Sequence, residues 1–118
     1  MSPRRWRTRV EDILSAIEEI DTFVSEMSFD EFGGDPKTLR AVICDFIIIG
    51  EAAASMPAEI VSEYAQVPWP VMRAMRNTLV HAYFDIDPRV LWDTIHEDLP
   101  GLVVPLRSIL DDTDLPEV

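Results

Sequence analysis

Apolar residues in this chain recur at three- and four-residue steps, and no stretch keeps the two-residue alternation of a half-buried strand. That spacing restricts the fold to packed helices. Val10, Ile13, Leu14, Ile17, Ile20, Val24 and Met27 make one amphipathic stripe, and Thr8 to Glu11 at its start has the form of a capping box. Ser28 to Glu31 repeats the box and opens a short turn of helix that Gly33-Gly34 ends. Asp35-Pro36, an N-cap followed by proline at the first helical position, starts a helix expected to run to Met56. Leu39, Val42, Ile43, Phe46, Ile47, Ile48 and Ile49 spread round much of its circumference, which predicts the central and most buried helix. Cys44 reads there as core packing. Glu51 fits either a partly polar groove or a wet face.

Ser55-Met56-Pro57 reads as a further cap-and-proline start, for a short helix to about Tyr64. Pro68-Trp69-Pro70 stops it and opens a helix from roughly Val71 to Phe84. Asp87-Pro88 opens the last one, and Pro100-Gly101 should kink or break it before Leu102, Val103, Leu106 and Ile109 resume the pattern. The expected fold is all-α, an up-down helical bundle of four main helices plus short ones. The 118 residues suffice for one core, so 1–118 reads as a single domain with 1–7 and 111–118 frayed.

Composition narrows the function classes. A single cysteine, Cys44, rules out an internal disulfide and suits a reducing cytoplasm. The basic start of the chain leads into a polar helix, unlike a signal peptide. The apolar run from Phe46 to Ala54, broken by Gly50 and Glu51, is far shorter than the ~20 residues of a membrane span. The formal net charge is −12, and it is uneven. Four of the ten basic residues are Arg4, Arg5, Arg7 and Arg9, leaving six from residue 10 onward against all 22 acids. Most of such a surface repels polyanions. Any RNA-directed activity must therefore use a local positive spot, either Arg73 and Arg76 or the arginine-rich N-terminus.

Reactive side chains concentrate in one octet, Arg76-Asn77-Thr78-Leu79-Val80-His81-Ala82-Tyr83. It holds a permanent cation, an amide, an imidazole and a phenol within two or so helical turns. Such a set can grip a phosphate, move a proton and offer a hydroxyl nucleophile. On a straight helix Tyr83 lies about 20° round from Arg76, while His81 lies about 140° away and shares a stripe with Asn77. A single helix thus splits the site, and a two-fold dimer packing these helices together would rejoin it. His96, among Asp93, Glu97 and Asp98, reads as a solvated helix face and has no second histidine or cysteine at metal-ligand spacing. Trp6, Trp69 and Trp92 read as packing anchors, and Glu18-Glu19 and Asp111-Asp112 as solvated charge. There is no phosphate-binding glycine loop and no H-E-x-x-H pair.

The string Met75 to Phe84 resembles the signature of the HepT-like proteins, a branch of the HEPN superfamily. Asp12-Ile13-Leu14, Met27-Ser28-Phe29 with Phe32, Ile48 to Ala53, Pro68-Trp69, Ile86-Asp87, Trp92 and Asp98-Leu99-Pro100 extend the likeness over roughly residues 8 to 110. The resemblance implies a HEPN-like helical bundle that forms a homodimer, with two motif copies lining a shared cleft. It implies the toxin of a type VII-like toxin–antitoxin pair, a metal-independent ribonuclease acting on RNA without a cofactor. Carried over by position, Arg76 and His81 are the catalytic pair and Asn77 supports the arginine. Tyr83 matches the tyrosine that a minimal nucleotidyltransferase antitoxin modifies with AMP. The alternative is a non-enzymatic helical subunit whose motif only serves as the acceptor surface of a nucleotidyltransferase.

Overall fold

The computed structural model describes residues 5–116, and within them every regular element is helical. In chain order these are α1 (Trp6–Val24), α2 (Phe29–Gly33), α3 (Pro36–Ala54), α4 (Ala58–Glu63), α5 (Trp69–Ala82), a 3-10 turn (Tyr83–Asp85) and α6 (Pro88–Asp93). A π turn (Thr94–Asp98) and a second 3-10 turn (Leu99–Leu102) then lead to α7 (Val103–Asp111). The all-α expectation holds for these residues. Three long helices are continuous. The fourth expected helix is a run of short pieces from Pro88 to Asp111, because Pro100 cannot donate to the α-helical ladder.

Local signals set most boundaries. Ser28 and Glu31 form the full reciprocal capping box at α2. Asp35 caps α3 by accepting from the Thr38 N–H and hydroxyl, and Asp87 accepts from the Arg89 N–H at α6. Two expected caps fail. Helix α1 starts at Trp6 with Arg5 as an N-cap that makes no side-chain bond, so Thr8 lies inside the helix. Tertiary contact moves that start. Trp6 is buried and its indole N–H donates to the Pro116 carbonyl at 2.8 Å, while Arg7 donates to the Leu110 and Asp112 carbonyls. Ser55 does not open α4. It is the C-cap of α3, and its hydroxyl donates back to the Glu51 carbonyl. At the end of α1, Glu26 takes a left-handed φ of 63° that stops the helix before Met27.

The clasp at Trp6 and Arg7 joins the two ends, which sequence alone expected to fray; residues 1–4 and 117–118, Arg4 included, lie outside the described ones. Tyr64 reinforces the clasp by donating its hydroxyl to an Asp112 carboxylate oxygen at 3.0 Å.

Helix α3 packs chiefly against α1 on one side and α5 on the other. Val42, Phe46, Ile49, Ala52 and Ala53 are buried between them. The remaining face is open, and this corrects two expectations. Cys44 is exposed rather than core, and Ile48 is 40 % exposed. A helix with two flanking neighbours keeps a third side, and the i, i+4, i+8 series Arg40, Cys44, Ile48 occupies it.

One acidic side chain lies inside this packing. Asp45 on α3 is 3 % exposed, and its Oδ2 has no hydrogen-bond partner. Burial, followed by a hydrogen bond and charge repulsion from Glu19 on α1, pushes its carboxyl up to about 7. The folded chain thus holds a proton that the unfolded chain releases near 3.8. The stability linked to that proton is complete below the unfolded value and falls as pH rises toward 7. Asp45→Asn keeps the shape, can donate to Glu19 and cannot ionise. Its stability relative to the parent should improve from about pH 5 to about pH 8 by on the order of 1–2 kcal/mol, several degrees in Tm. A Tm difference that is flat over this range would show that Asp45 does not titrate there.

Candidate active site

The octet lies at the C-terminal end of α5, and its geometry follows from how α5 meets α3. Trp69 anchors the start of α5: its ring is buried and its indole N–H donates to the Tyr64 carbonyl at 3.1 Å. Farther along, α5 crosses α3 at Gly50. A Cβ added to Gly50 would stand 2.1 Å from the Arg76 Cβ and 2.8 Å from the Met72 carbonyl oxygen. No other residue type fits without moving a helix.

This close approach lays Arg76 against the next residue of α3. The Arg76 Nε donates to Glu51 Oε1 at 2.6 Å, and one terminal nitrogen lies 2.5 Å from the same oxygen. The other terminal nitrogen donates to Asn77 Oδ1 at 2.9 Å. Glu51 is therefore the partner of Arg76 rather than a freely solvated charge. Its side chain and that of Arg76 are both part-buried, so the guanidinium is fixed in direction while one edge still reaches solvent. The arrangement is a preset cation at a helix surface, suited to a phosphate oxygen.

His81 is exposed, and among the described residues no hydrogen bond joins it to Arg76. It stands one and a half turns farther on, about 7.5 Å along the axis. The structure thus brings Arg76, Asn77 and Glu51 together and leaves the imidazole apart within one copy. The helix expected to reach Phe84 ends at Ala82, where φ is −140° and ψ is 32°. Tyr83 opens the 3-10 turn, so its backbone leaves the α-helical register that would set it above Arg76. The orientation of the Tyr83 side chain lies outside what is described.

Other candidates fall elsewhere. His96 Nδ1 lies 2.8 Å from the Trp92 carbonyl and its ring sits 4.2 Å from the Trp92 ring, in a cluster with Phe29 and Phe32. Arg73 is exposed on α5. Among the described residues no group of three or more His, Cys, Asp or Glu is placed to hold a metal ion. Sequence reasoning missed Gly50 and left Glu51 open. The available signal was a glycine followed by an acid inside an otherwise apolar helix.

The crossing yields a prediction whose sign runs against helix propensity. Gly→Ala within a helix ordinarily stabilises by about 0.5–1 kcal/mol. At Gly50 the new methyl meets backbone and Cβ atoms, so G50A should destabilise by about 1–3 kcal/mol in urea unfolding. G101A, whose Cβ meets nothing within 4 Å, is the control and should cost far less. Equal effects at the two positions would refute the close crossing.

Comparison with known proteins places this chain in a family. A family model described as "Ribonuclease HepT-like" matches residues 13–109. The chain is 44 % identical over 99 residues to a protein of Thermococcus cleftensis named "Probable ribonuclease HepT", covering 84 % of this chain and 90 % of that one. It is 36 % identical over 114 residues to a "Putative RNase" of Methanocaldococcus jannaschii, covering 97 % and 94 %. A third relative, a "Putative RNase" of Caldanaerobacter subterraneus subsp. tengcongensis, is 36 % identical over 104 residues, covering 88 % and 93 %. No solved structure gives a significant match. With a family match across most of its length and near-full-length relatives that share it, this chain belongs to the HepT-like ribonuclease family.

Proposed function

We propose that the chain is a metal-independent endoribonuclease, the toxin of a toxin–antitoxin pair, acting in the cytoplasm as a single-domain homodimer. Membership of the HepT-like ribonuclease family supports the reaction class. The observation that carries the assignment of residues is the Arg76 guanidinium, oriented by Glu51 and Asn77 on the helix that also presents an exposed His81.

In this reading Arg76 binds a non-bridging oxygen of the scissile phosphate. The neighbouring ribose 2′-hydroxyl attacks phosphorus, His81 takes its proton, and the 5′-oxygen leaves with a proton from a second acid, giving a cyclic phosphate. Asn77 keeps the guanidinium from swinging away. Arg76 and His81 point to different sides of α5, so a partner copy supplies the missing half of each site. Ile48, Val80 at 41 % and Phe84 at 75 % exposure form an apolar surround for such a dimer. Tyr83 is the acceptor of AMP from a nucleotidyltransferase antitoxin, and the added anion silences the toxin by engaging Arg76.

One observation favours a second reading, a non-enzymatic acceptor subunit. The chain carries a formal net charge of −12, and Glu51 already offsets the charge of Arg76.

The two readings part in one assay. Unmodified protein and its His81→Ala and Arg76→Ala variants are incubated with total RNA in EDTA. The enzyme reading expects cleavage by the parent and a loss of at least about 100-fold in each variant. Equal inactivity of all three assigns the chain to the acceptor role. For the regulatory step, Tyr83→Phe should abolish label transfer from ATP by the cognate nucleotidyltransferase and keep RNA cleavage. Continued labelling of that variant would remove Tyr83 from the scheme.

A further inference from the structure

A cavity of about 460 Å³ opens between α3, the first half of α5 and the irregular stretch before α7. Its inner wall is apolar, with Phe46 and Ile49 from α3, Met72 from α5, and Leu99 and Leu102 from the 3-10 turn. All five are nearly buried, so the floor of this half-open cavity is formed by core side chains. Glu97, Asp98 and Gly101 stand at its mouth, all exposed. Its volume falls within the range of small-molecule sites, which runs from about 300 to 1,000 Å³.

The backbone departs from α-helix along this wall. The π turn Thr94–Asp98 and the 3-10 turn Leu99–Leu102 replace what the apolar spacing would have continued as one helix. A π turn within a helix costs stability and recurs at functional sites. Pro100 and Gly101 complete the break, and a Cβ added at Gly101 would meet no atom within 4 Å. Two sequence features that the octet does not explain, Pro68-Trp69 and Asp98-Leu99-Pro100, contribute lining residues here. Met72 and Met75 give the wall an adaptable surface. Val71, 66 % exposed, extends the apolar strip to the rim.

Charge selects the ligand. Among the described residues neither Glu97 nor Asp98 has an ion-pair partner, and no basic side chain lines the cavity. An apolar pocket with two carboxylates at its mouth favours a molecule with an apolar body and a cationic end, and it disfavours nucleotides and fatty acids. We infer that this cavity is a binding site for a small cationic amphiphile, an apolar or aromatic body bearing an ammonium group. The site is separate from the octet proposed to cleave RNA and does not depend on that reading, although Met75 in its wall directly precedes Arg76.

The full-length protein offers a direct test with three probes of one skeleton: 4-phenylbutylammonium, 4-phenylbutanol and 4-phenylbutanoate. Binding is followed by ligand-observed NMR and calorimetry. The ammonium probe should bind about tenfold more tightly than the alcohol, and the carboxylate most weakly. Gly101→Leu places a side chain in open space at the mouth, so it should preserve the thermal melt and weaken the ammonium probe about tenfold. The double variant Glu97→Gln and Asp98→Asn should erase the preference for ammonium over alcohol. Absence of binding by all three probes overturns the proposal. So does carboxylate binding equal to that of the ammonium, or full affinity in Gly101→Leu. A change of sedimentation mass in Gly101→Leu would assign the cavity to a second copy of the chain and also overturn it.

Discussion

The approach of α3 and α5 at Gly50 is the contact on which the rest of this molecule depends. Helices normally pack about 8–10 Å apart because side chains intervene. Here one side chain is absent, and the Cβ of Arg76 occupies its place. The same contact does two jobs. It closes one side of the central helix, and it sets the guanidinium beside the carboxylate of the following residue, Glu51. A bulkier residue at position 50 would push α5 outward, exposing core and displacing the arginine together. Stability and the candidate chemistry are therefore coupled through one missing methyl group.

Electrostatics gives that arginine its meaning. The chain is strongly acidic, so an unrestrained arginine on its surface has many carboxylates to choose from. Pairing with Glu51 on one edge and Asn77 on another fixes which edge remains open. In the proposed function, a polyanion would meet a directed donor set within a repelling field, which favours selective over general binding. Asp45 presents the opposite arrangement on the α1 side of the same helix. There burial favours the protonated acid, and the cost appears as a pH dependence of stability rather than as a site.

Much of this was legible along the chain, though unevenly. The caps at Ser28, Asp35 and Asp87 read correctly because they depend on residues three apart or nearer. Thr8 failed because a distant partner outweighed a local bond, as Trp6 reaches Pro116; Ser55 failed because a competing local bond, to the Glu51 carbonyl, holds it to the helix it ends. Cys44 read as core because periodicity gives the width of an apolar arc but not how many neighbours cover it. The run from Pro88 to Asp111 carried its break signal in Pro100-Gly101, and the loosened turn Thr94–Asp98 holds His96, whose carbonyl a proline at position 100 leaves without its helical donor.

The sequence by itself determined the helical class, most of the helix starts and the octet that gathers arginine, asparagine, histidine and tyrosine. These follow from local spacing, which the chain carries wherever it folds. Only tertiary structure decided which partner Arg76 takes, which face of α3 stays open, that Asp45 is buried beside Glu19, and that a cavity lies behind α5. Each depends on residues 25 or more positions apart, and such proximity is set by packing, which no local pattern encodes.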